Sequence, residues 1–199
     1  MLPVDFVSKL NMKVNYPILL ITDVHTNLHN LRRVLNKHPN HTVICLGDIT
    51  NLWDKATTPA NIETINYFIK RKLACLKGNH DEHVGGNPTT YQLDDAACKY
   101  LENLPITITV ETTDGKKYKL YHYRPNDFWS LETSDKMTFD KFCSFYGSDA
   151  DADAVVIGHL HSAYEIKFPN HKRQLIGIGA LRDGEYAILN ERGIKHHKL

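Results

Sequence analysis

The sequence lacks the features that would assign it to several broad classes of protein. Its four cysteines form no CxxC pair, so neither a disulfide framework nor a cysteine-ligated zinc site is indicated. Cys45 and Cys75 lie within apolar runs, and we expect both to be reduced and buried. No run approaches the roughly 18 apolar residues of a membrane-spanning helix. Residues 1–16 lack the unbroken apolar stretch of a signal peptide, so the expected location is cytoplasmic, with no membrane partner.

An excess of charge of one sign is also missing. The 24 basic and 23 acidic residues give a net charge of +1, which does not indicate a broad surface for nucleic acid, although it leaves room for a local basic patch. The sequence has no internal repeat, low-complexity tract or Pro/Gly-rich linker. A chain of 199 residues suits one hydrophobic core, so we expect residues 1–199 to form a single domain.

Apolar runs alternate with amphipathic patterns along the first half of the chain. Short runs predict buried strands at residues 18–21, 42–46 and 73–76. Helical spacing of apolar residues predicts helices that start at Asn27, near Ile62 and at residue 90. This alternation of strands and helices predicts an α/β core with parallel strands.

The second half of the chain has a different pattern. Asp114-Gly115 separates two strand-like segments and predicts a hairpin of residues 106–112 and 117–123. A helix is expected over residues 134–147, followed by a buried strand at residues 154–157. Three or four further short strands are expected between residues 163 and 198, which makes two sheets the simplest arrangement.

Polar clusters follow several of these strands. They read Asp23-Val24-His25, Gly47-Asp48, Gly78-Asn79-His80-Asp81 and Gly158-His159-Leu160-His161, and His122 ends the second strand of the hairpin. In open α/β sheets, ligands bind beyond the carboxyl ends of the strands, so we expect these side chains to converge. The glycines would allow sharp turns and leave room for a ligand.

The residue types in these clusters suit metal ions. Carboxylates, imidazoles and one amide oxygen match Mn, Fe, Co, Ni or Zn, whereas a magnesium site would use mostly oxygen ligands. There are more candidate ligands than one ion needs, so two ions that share the Asp48 carboxylate are expected. Two ions about 4 Å apart can hold a phosphoryl group and activate a water molecule for in-line attack.

The clusters resemble, in residue type and order, those of the calcineurin-like metallophosphoesterases, and the resemblance runs from about Ile18 to His161. In its short length and its lack of a cap domain, the chain is most similar to the small bacterial and archaeal phosphodiesterases of that family. The resemblance implies a four-layer α-β-β-α sandwich with two mixed sheets and a dimetal site at one edge. It also implies two divalent cations, with manganese as the first expectation, and a small phosphorylated substrate.

The resemblance implies a role for each residue of the clusters. Asp23, His25 and His161 would bind one ion, Asn79, His122 and His159 would bind the other, and Asp48 would bridge them. His80 would donate a proton or a hydrogen bond to the leaving oxygen, and Asp81 would orient His80. Asp81 could instead cap the turn that follows it.

The implied reaction is hydrolysis of a phosphomonoester or phosphodiester by metal-activated hydroxide. Two alternatives remain open at this stage, a metal-binding scaffold with little catalysis and a nuclease. Retention of His80 and of every expected ligand favours the enzyme over the scaffold. The family often has glycine after the position of His122, whereas Tyr123-Arg124 follows here. Tyr123 could narrow the pocket and Arg124 could contact a phosphate. Five of the histidines outside the clusters are expected to face solvent: His38, His41, His171, His196 and His197.

Overall fold

The computed structural model describes residues 9–52, 58–123 and 137–199. Within these residues the chain forms two sheets, one of six strands and one of five. In chain order, the strands are β1 (Lys9–Val14), β2 (Ile18–Ile21), β3 (Thr42–Cys45), β4 (Ala74–Cys75), β5 (Thr107–Thr112), β6 (Lys117–Tyr121), β7 (Ala154–Ile157), β8 (Ala163–Lys167), β9 (Gln174–Ile178), β10 (Glu185–Asn190) and β11 (Gly193–Lys198). The helices are α1 (Leu28–Lys37), α2 (Thr58–Arg71), α3 (Asn79–Gly86), α4 (Asp95–Glu102) and α5 (Phe139–Tyr146), with short 3-10 turns at Gly147–Asp151 and Leu181–Asp183.

Both sheets mix parallel and antiparallel pairs. The first sheet has the order β1-β5-β6-β7-β9-β8, and the second has the order β11-β10-β2-β3-β4. In the second sheet, β2, β3 and β4 are parallel, with Ile21 beside Cys45 and Cys45 beside Cys75. In the first, β6 and β7 are parallel, with Tyr121 beside Ile157. The carboxyl ends of neighbouring parallel strands therefore lie side by side in each sheet.

Alternation along the strands divides the core into layers. In β2, Ile18 and Leu20 face the first sheet, and Leu19 and Ile21 face the helices on the outside. Helices α1 to α4 cover the outer face of the second sheet, and α5 covers the outer face of the first. The order helix, sheet, sheet, helix confirms the predicted four-layer α-β-β-α sandwich with two mixed sheets.

Helix α1 stabilises the turn that connects it to the carboxyl end of β2. The side chain of Asn27 caps the helix by accepting a 3.1 Å hydrogen bond from Asn30 N–H. Four apolar side chains on one face of the helix are buried against the second sheet: Leu28, Leu31, Val34 and Leu35. Each such burial contributes about 1.5–3 kcal/mol. Packing and cap together hold the turn that carries Asp23 and His25 against the sheet.

The structure departs from the predicted elements in several places, one of which is helix α5, which begins at Phe139 rather than residue 134. Strand β1 was not expected, because most of its residues are exposed and form no buried apolar run, and because its partner β5 is distant in the chain. Helix α3 was also not expected, because its apolar residues have no clear helical spacing. Helix α4 begins at Asp95 rather than residue 90, because Asp94 accepts a hydrogen bond from Ala97 N–H and caps it there.

Cys45 and Cys75 are buried free thiols, as predicted. The expectation of solvent-facing histidines holds for His171 and is wrong for the other four, which are half-buried: His38, His41, His196 and His197. His38 Nε2 lies 3.2 Å from the Tyr186 hydroxyl, and His197 stacks on the Tyr186 ring. His196 Nε2 lies 2.8 Å from the carbonyl oxygen of Gly177. Among the described residues, no helix has the length and apolar character that crossing a membrane requires.

Candidate metal centre

The strand-end turns of both sheets meet at one edge of the sandwich. Asp23 N–H donates to the carbonyl of Gly47, and His25 N–H donates to that of Asp48, both at 3.0 Å. In the first sheet, Gly158 N–H donates to the carbonyl of His122, also at 3.0 Å. Backbone hydrogen bonds therefore fix the turns to one another. The side chains that follow β2, β3, β6 and β7 are brought together, as the sequence predicts.

Asp23, His25 and His161 form one group of candidate ligands. Oδ1 of Asp23 lies 3.1 Å from Nε2 of His161 and 3.6 Å from Nε2 of His25, and the two ring nitrogens are 3.1 Å apart. Asp23 Oδ1 is fully buried and accepts no well-directed hydrogen bond from any residue that the structure describes. A buried carboxylate oxygen surrounded by imidazole nitrogens fits a cation, because a metal ion would satisfy all three atoms.

Asn79, His122 and His159 form a second group. Asn79 Oδ1 lies 3.0 Å from Nε2 of His122 and 3.0 Å from Nδ1 of His159. Asn79 opens helix α3, whereas the two histidines follow strands of the first sheet. This group therefore draws its ligands from both sheets.

Asp48 lies between the two groups. Its Oδ2 is 3.2 Å from Nε2 of His122, 3.9 Å from Nε2 of His25 and 3.9 Å from Nε2 of His80. Its Oδ1 accepts a 2.8 Å hydrogen bond from His80 N–H at the start of α3. One oxygen is thus fixed by the backbone, and the other faces histidines of both groups, the position that a bridging ligand needs.

Hydrogen bonds set the orientation of the buried imidazoles. Nδ1 of His25 lies 3.2 Å from the carbonyl oxygen of Thr50, and Nδ1 of His122 lies 2.8 Å from that of Leu46. Because a carbonyl oxygen only accepts, each Nδ1 carries the proton and donates it. Nε2 of each ring is then the nitrogen that faces the site and that, once deprotonated, would offer its lone pair to a metal ion.

Many of the candidate ligands have a backbone conformation that residues other than glycine rarely adopt. Positive φ angles occur at Asp23 (51°), His25 (42°), Asp48 (53°), His159 (67°) and His161 (53°). Each such conformation costs on the order of 1–3 kcal/mol and persists only where the surrounding structure enforces it. The unfavourable backbone conformations are therefore concentrated at the positions where these side chains converge.

The glycines of the clusters serve close packing within the site. A Cβ atom on Gly78 would lie 2.1 Å from Oδ1 of Asp48, and one on Gly158 would lie 2.1 Å from the Thr22 hydroxyl oxygen. Gly47 has a φ of +101°, which makes the turn before Asp48 possible. The expected sharp turn is thus present at Gly47. The room at Gly78 and Gly158 is taken by neighbouring protein groups rather than by a ligand.

Asp81 contacts different groups from those expected. Its Oδ2 accepts hydrogen bonds from the N–H groups of Asp48 (2.8 Å) and Gly78 (3.0 Å). Its Oδ1 accepts from the N–H (3.1 Å) and the hydroxyl (2.9 Å) of Thr50. None of these partners is His80. The carboxylate therefore orients the backbone around Asp48 and Thr50 rather than the His80 ring. The carboxylate caps α3 and holds the Asp48 turn, because four donors already occupy its two oxygens.

His80 faces the Asp48 carboxylate from the start of α3, with its Nε2 3.9 Å from Asp48 Oδ2. Its ring packs edge-on against that of His25, with the centroids 4.5 Å apart. Burial lowers the pKa of His80 to about 4, although the nearby Asp48 carboxylate raises it. The imidazole is therefore neutral at pH 7 and can donate a hydrogen bond through one ring nitrogen.

Tyr123 lies beside the second group, with its ring centroid 5.7 Å from that of His122 and 5.9 Å from that of His159. It is half-buried, so its ring lies next to the two histidines of that group. Arg124 lies outside the described residues.

The electrostatics of the centre place negative charge on the carboxylates. Burial alone would raise the pKa values of Asp23 and Asp48, but neighbouring histidines lower both below their ordinary range. For His122, burial lowers the pKa and the Asp48 carboxylate more than reverses this, to about 10. Two buried carboxylates whose charge is compensated only by histidines suit added cations.

The turn Leu181–Asp183 after β9 is part of the surroundings of the site, and sequence reasoning missed it. Leu181 N–H donates to the carbonyl of Thr22 at 2.9 Å, and Arg182 N–H donates to that of Asp23 at 3.0 Å. The sequence feature that could have indicated this turn is Arg182-Asp183-Gly184, which follows an apolar strand as the other clusters do.

Comparisons with known proteins agree with this arrangement. The family model described as Calcineurin-like phosphoesterase matches residues 16–163. The uncharacterized protein MJ0912 of Methanocaldococcus jannaschii is 29% identical over 220 aligned positions, which cover 89% of this chain and 84% of that protein.

Solved structures share the fold at low sequence identity. The hypothetical protein PH1004 of Pyrococcus horikoshii OT3 superimposes with a TM-score of 0.70 at 12% identity, over 94% of this chain and 88% of that one. A structure described as a novel archaeal phosphodiesterase superimposes with a TM-score of 0.56 at 18% identity, over 92% of this chain and 100% of that one. At these identities the likeness shows the fold alone.

Proposed function

Because this chain belongs to the calcineurin-like phosphoesterase family, we propose that it hydrolyses small phosphate esters with two divalent cations held at the edge of the sandwich. Manganese is the first candidate metal, and Fe, Co, Ni and Zn suit the same mixture of oxygen and nitrogen ligands. When bound, the cations would polarise the phosphate and activate a water molecule. The reaction class is therefore phosphoric ester hydrolysis, in a monoester or a diester.

The position of Asp48 carries this proposal. Its Oδ2 faces His122 of one ligand group and His25 of the other, at 3.2 and 3.9 Å. If two cations were bound, a carboxylate shared between them would lower their mutual repulsion. Asp23 and His161 would complete the first site, and Asn79 with His159 would complete the second.

His80 supports an enzyme rather than a metal-binding scaffold. Its ring borders the Asp48 carboxylate, with Nε2 3.9 Å from Asp48 Oδ2. His25, Asp48 and His80 also lie close enough together to share an ion, but neither the group of Asp23 nor that of His122 and His159 needs His80. A neutral imidazole at this position would donate a hydrogen bond to the leaving oxygen of the ester as the P–O bond breaks. Asp81 would act indirectly, by holding the Asp48 turn and the start of α3 in place.

The experiment is a matrix of metals and substrates. Protein stripped of metal would be reconstituted with Mn, Fe, Ni, Co, Zn or Mg and tested on an aryl phosphomonoester, an aryl phosphodiester, cyclic nucleotides and single-stranded DNA. We expect turnover of at least one small ester with a transition metal, and much less with magnesium. Activity confined to DNA would indicate a nuclease, and no activity with any metal would favour the scaffold.

A further inference from the structure

Arg182 is held beside the metal centre by its backbone. Its N–H donates to the carbonyl of Asp23 at 3.0 Å, and its own carbonyl accepts hydrogen bonds from the side-chain amides of Asn27 (3.1 Å) and Asn30 (3.2 Å). The turn of Arg182 is therefore joined both to a candidate ligand and to the start of α1. Its position relative to the centre is fixed whatever its side chain does.

The Arg182 guanidinium is available to a ligand. The side chain is 45% exposed, and its Nε lies 3.7 Å from Oδ1 of Asp183, which is 54% exposed. An exposed pair at this separation contributes little and is easily exchanged for another anion. Arg182 makes no side-chain hydrogen bond with any residue in the part of the chain that the structure describes.

His161 is the exposed ligand of the group next to Arg182: it contacts the Asp23 carboxylate at 3.1 Å, and Arg182 N–H contacts the Asp23 carbonyl at 3.0 Å. The His161 side chain is 35% exposed, whereas those of Asp23 and His25 are 0% and 3% exposed. Because His161 and Arg182 both contact Asp23, a substrate that enters past His161 passes the turn that carries Arg182.

We propose that Arg182 binds a negatively charged oxygen of the substrate next to His161 and thereby favours phosphomonoesters over phosphodiesters. This inference rests on the proposed function of the same site. A monoester carries two negative charges above a second pKa of about 6, whereas a diester carries one. Arginine pairs with two anionic oxygens through its planar fork, so it gains most from the group that offers an additional charged oxygen.

The kinetic test compares two substrates with the same leaving group, p-nitrophenyl phosphate and bis(p-nitrophenyl) phosphate, at pH 8 with the manganese-loaded protein. The variants are Arg182→Ala and Arg182→Lys. The matched control is Arg192→Ala, in an exposed turn between β10 and β11 at the opposite end of the strands. Metal content is measured for each variant, because the backbone bonds of Arg182 remain after substitution and both ions should be retained.

Loss of one hydrogen bond to a charged group corresponds to a factor of about 10 to 100. We expect Arg182→Ala to raise KM for the monoester by that factor and to change kcat/KM for the diester by less than about threefold. Arg182→Lys should recover part of the loss, and Arg192→Ala should match the wild type. Equal losses for both substrates, or no loss for either, would overturn the proposal.

Failure of the proposed function can be told apart from failure of this inference. If the wild type hydrolyses neither ester with any metal, the function is wrong, and binding of inorganic phosphate to the manganese-loaded protein tests Arg182 directly. Titration calorimetry should then show phosphate binding weakened about 10-fold or more by Arg182→Ala. Binding of dimethyl phosphate, a monoanion, should change little. Equal phosphate affinity in the wild type and the variant would reject the role of Arg182.

Discussion

Oδ2 of Asp23 accepts a 2.9 Å hydrogen bond from the backbone N–H of His159, and this bond joins the two sheets. Asp23 follows β2 of the second sheet, and His159 follows β7 of the first. The other oxygen of the same carboxylate faces His161 and His25. A bound cation on that side would therefore strengthen a connection that the protein already makes.

Metal removal should destabilise the folded protein. A ligand that binds only the native state adds about 2.7 kcal/mol at a concentration 100 times its Kd, and here the ligands come from both sheets. We expect Tm to fall by several degrees when a chelator is added and to recover with manganese. The check is thermal unfolding followed by circular dichroism. An unchanged Tm in protein shown to have lost its metal would contradict the shared site.

Two ions per chain are expected at saturation, because each of the two ligand groups has three side chains of its own and shares only Asp48 with the other. His161→Ala should lower the stoichiometry toward one ion, since Asn79, His122 and His159 remain. His171→Ala is the matched control, because His171 is exposed and stacks on Phe139 away from the strand-end turns. Elemental analysis after reconstitution gives the numbers. A wild type that saturates at one ion would rule out the dimetal centre.

Asp48→Asn should reduce activity by about 10²-fold or more, because the amide keeps the shape of the side chain and removes the shared negative charge. Asp151→Asn makes the same chemical change at an 81% exposed side chain paired with Arg173, and should leave activity unchanged. The measurement is kcat/KM at saturating manganese. Wild-type activity in Asp48→Asn would eliminate the bridging role.

His80→Ala should keep both metals and the fold and should lose a factor of about 10²–10⁴ in kcat, the usual effect of a group that acts on the leaving oxygen. The loss should shrink as the leaving group becomes more acidic, because such groups need less help. A series of aryl phosphate esters of graded leaving-group pKa measures this. A loss of the same size across the series would mean that His80 acts elsewhere.

Asp81→Asn should lower stability as well as activity. The change places an amide N–H₂ opposite backbone N–H groups of the Asp48 turn, and buried donors without acceptors cost about 1–3 kcal/mol each. We expect a lower Tm and weaker manganese binding, with a leaving-group dependence like that of the wild type. If Asp81→Asn instead reproduced the leaving-group behaviour of His80→Ala at unchanged Tm, Asp81 would act through His80 after all.

The fold and the ligand positions were accessible from the sequence because each ligand follows a short apolar strand, and parallel strands bring such ends together. The partner of Asp81 was not accessible in this way. A carboxylate beside His80 can bond to the ring or to nearby backbone N–H groups, and only the three-dimensional path of the Asp48 turn decides between them. Strand β1 was missed because its pairing with β5 spans about half of the chain, from Lys9 to Thr107. Arg182 was missed because its role depends on a turn lying against Asp23.

The positive φ angles at Asp23, His25, Asp48, His159 and His161 have a consequence for metal exchange. Since hydrogen bonds within the protein already hold these turns, the ligands stand in place before any cation arrives. Replacing one divalent ion by another then requires no rearrangement of the chain. Affinity among first-row ions would then depend on their intrinsic order and on how well each ion fits the fixed geometry of the turns. The metal found in the isolated protein would accordingly reflect these two factors together with the metal supply of the cell that made it.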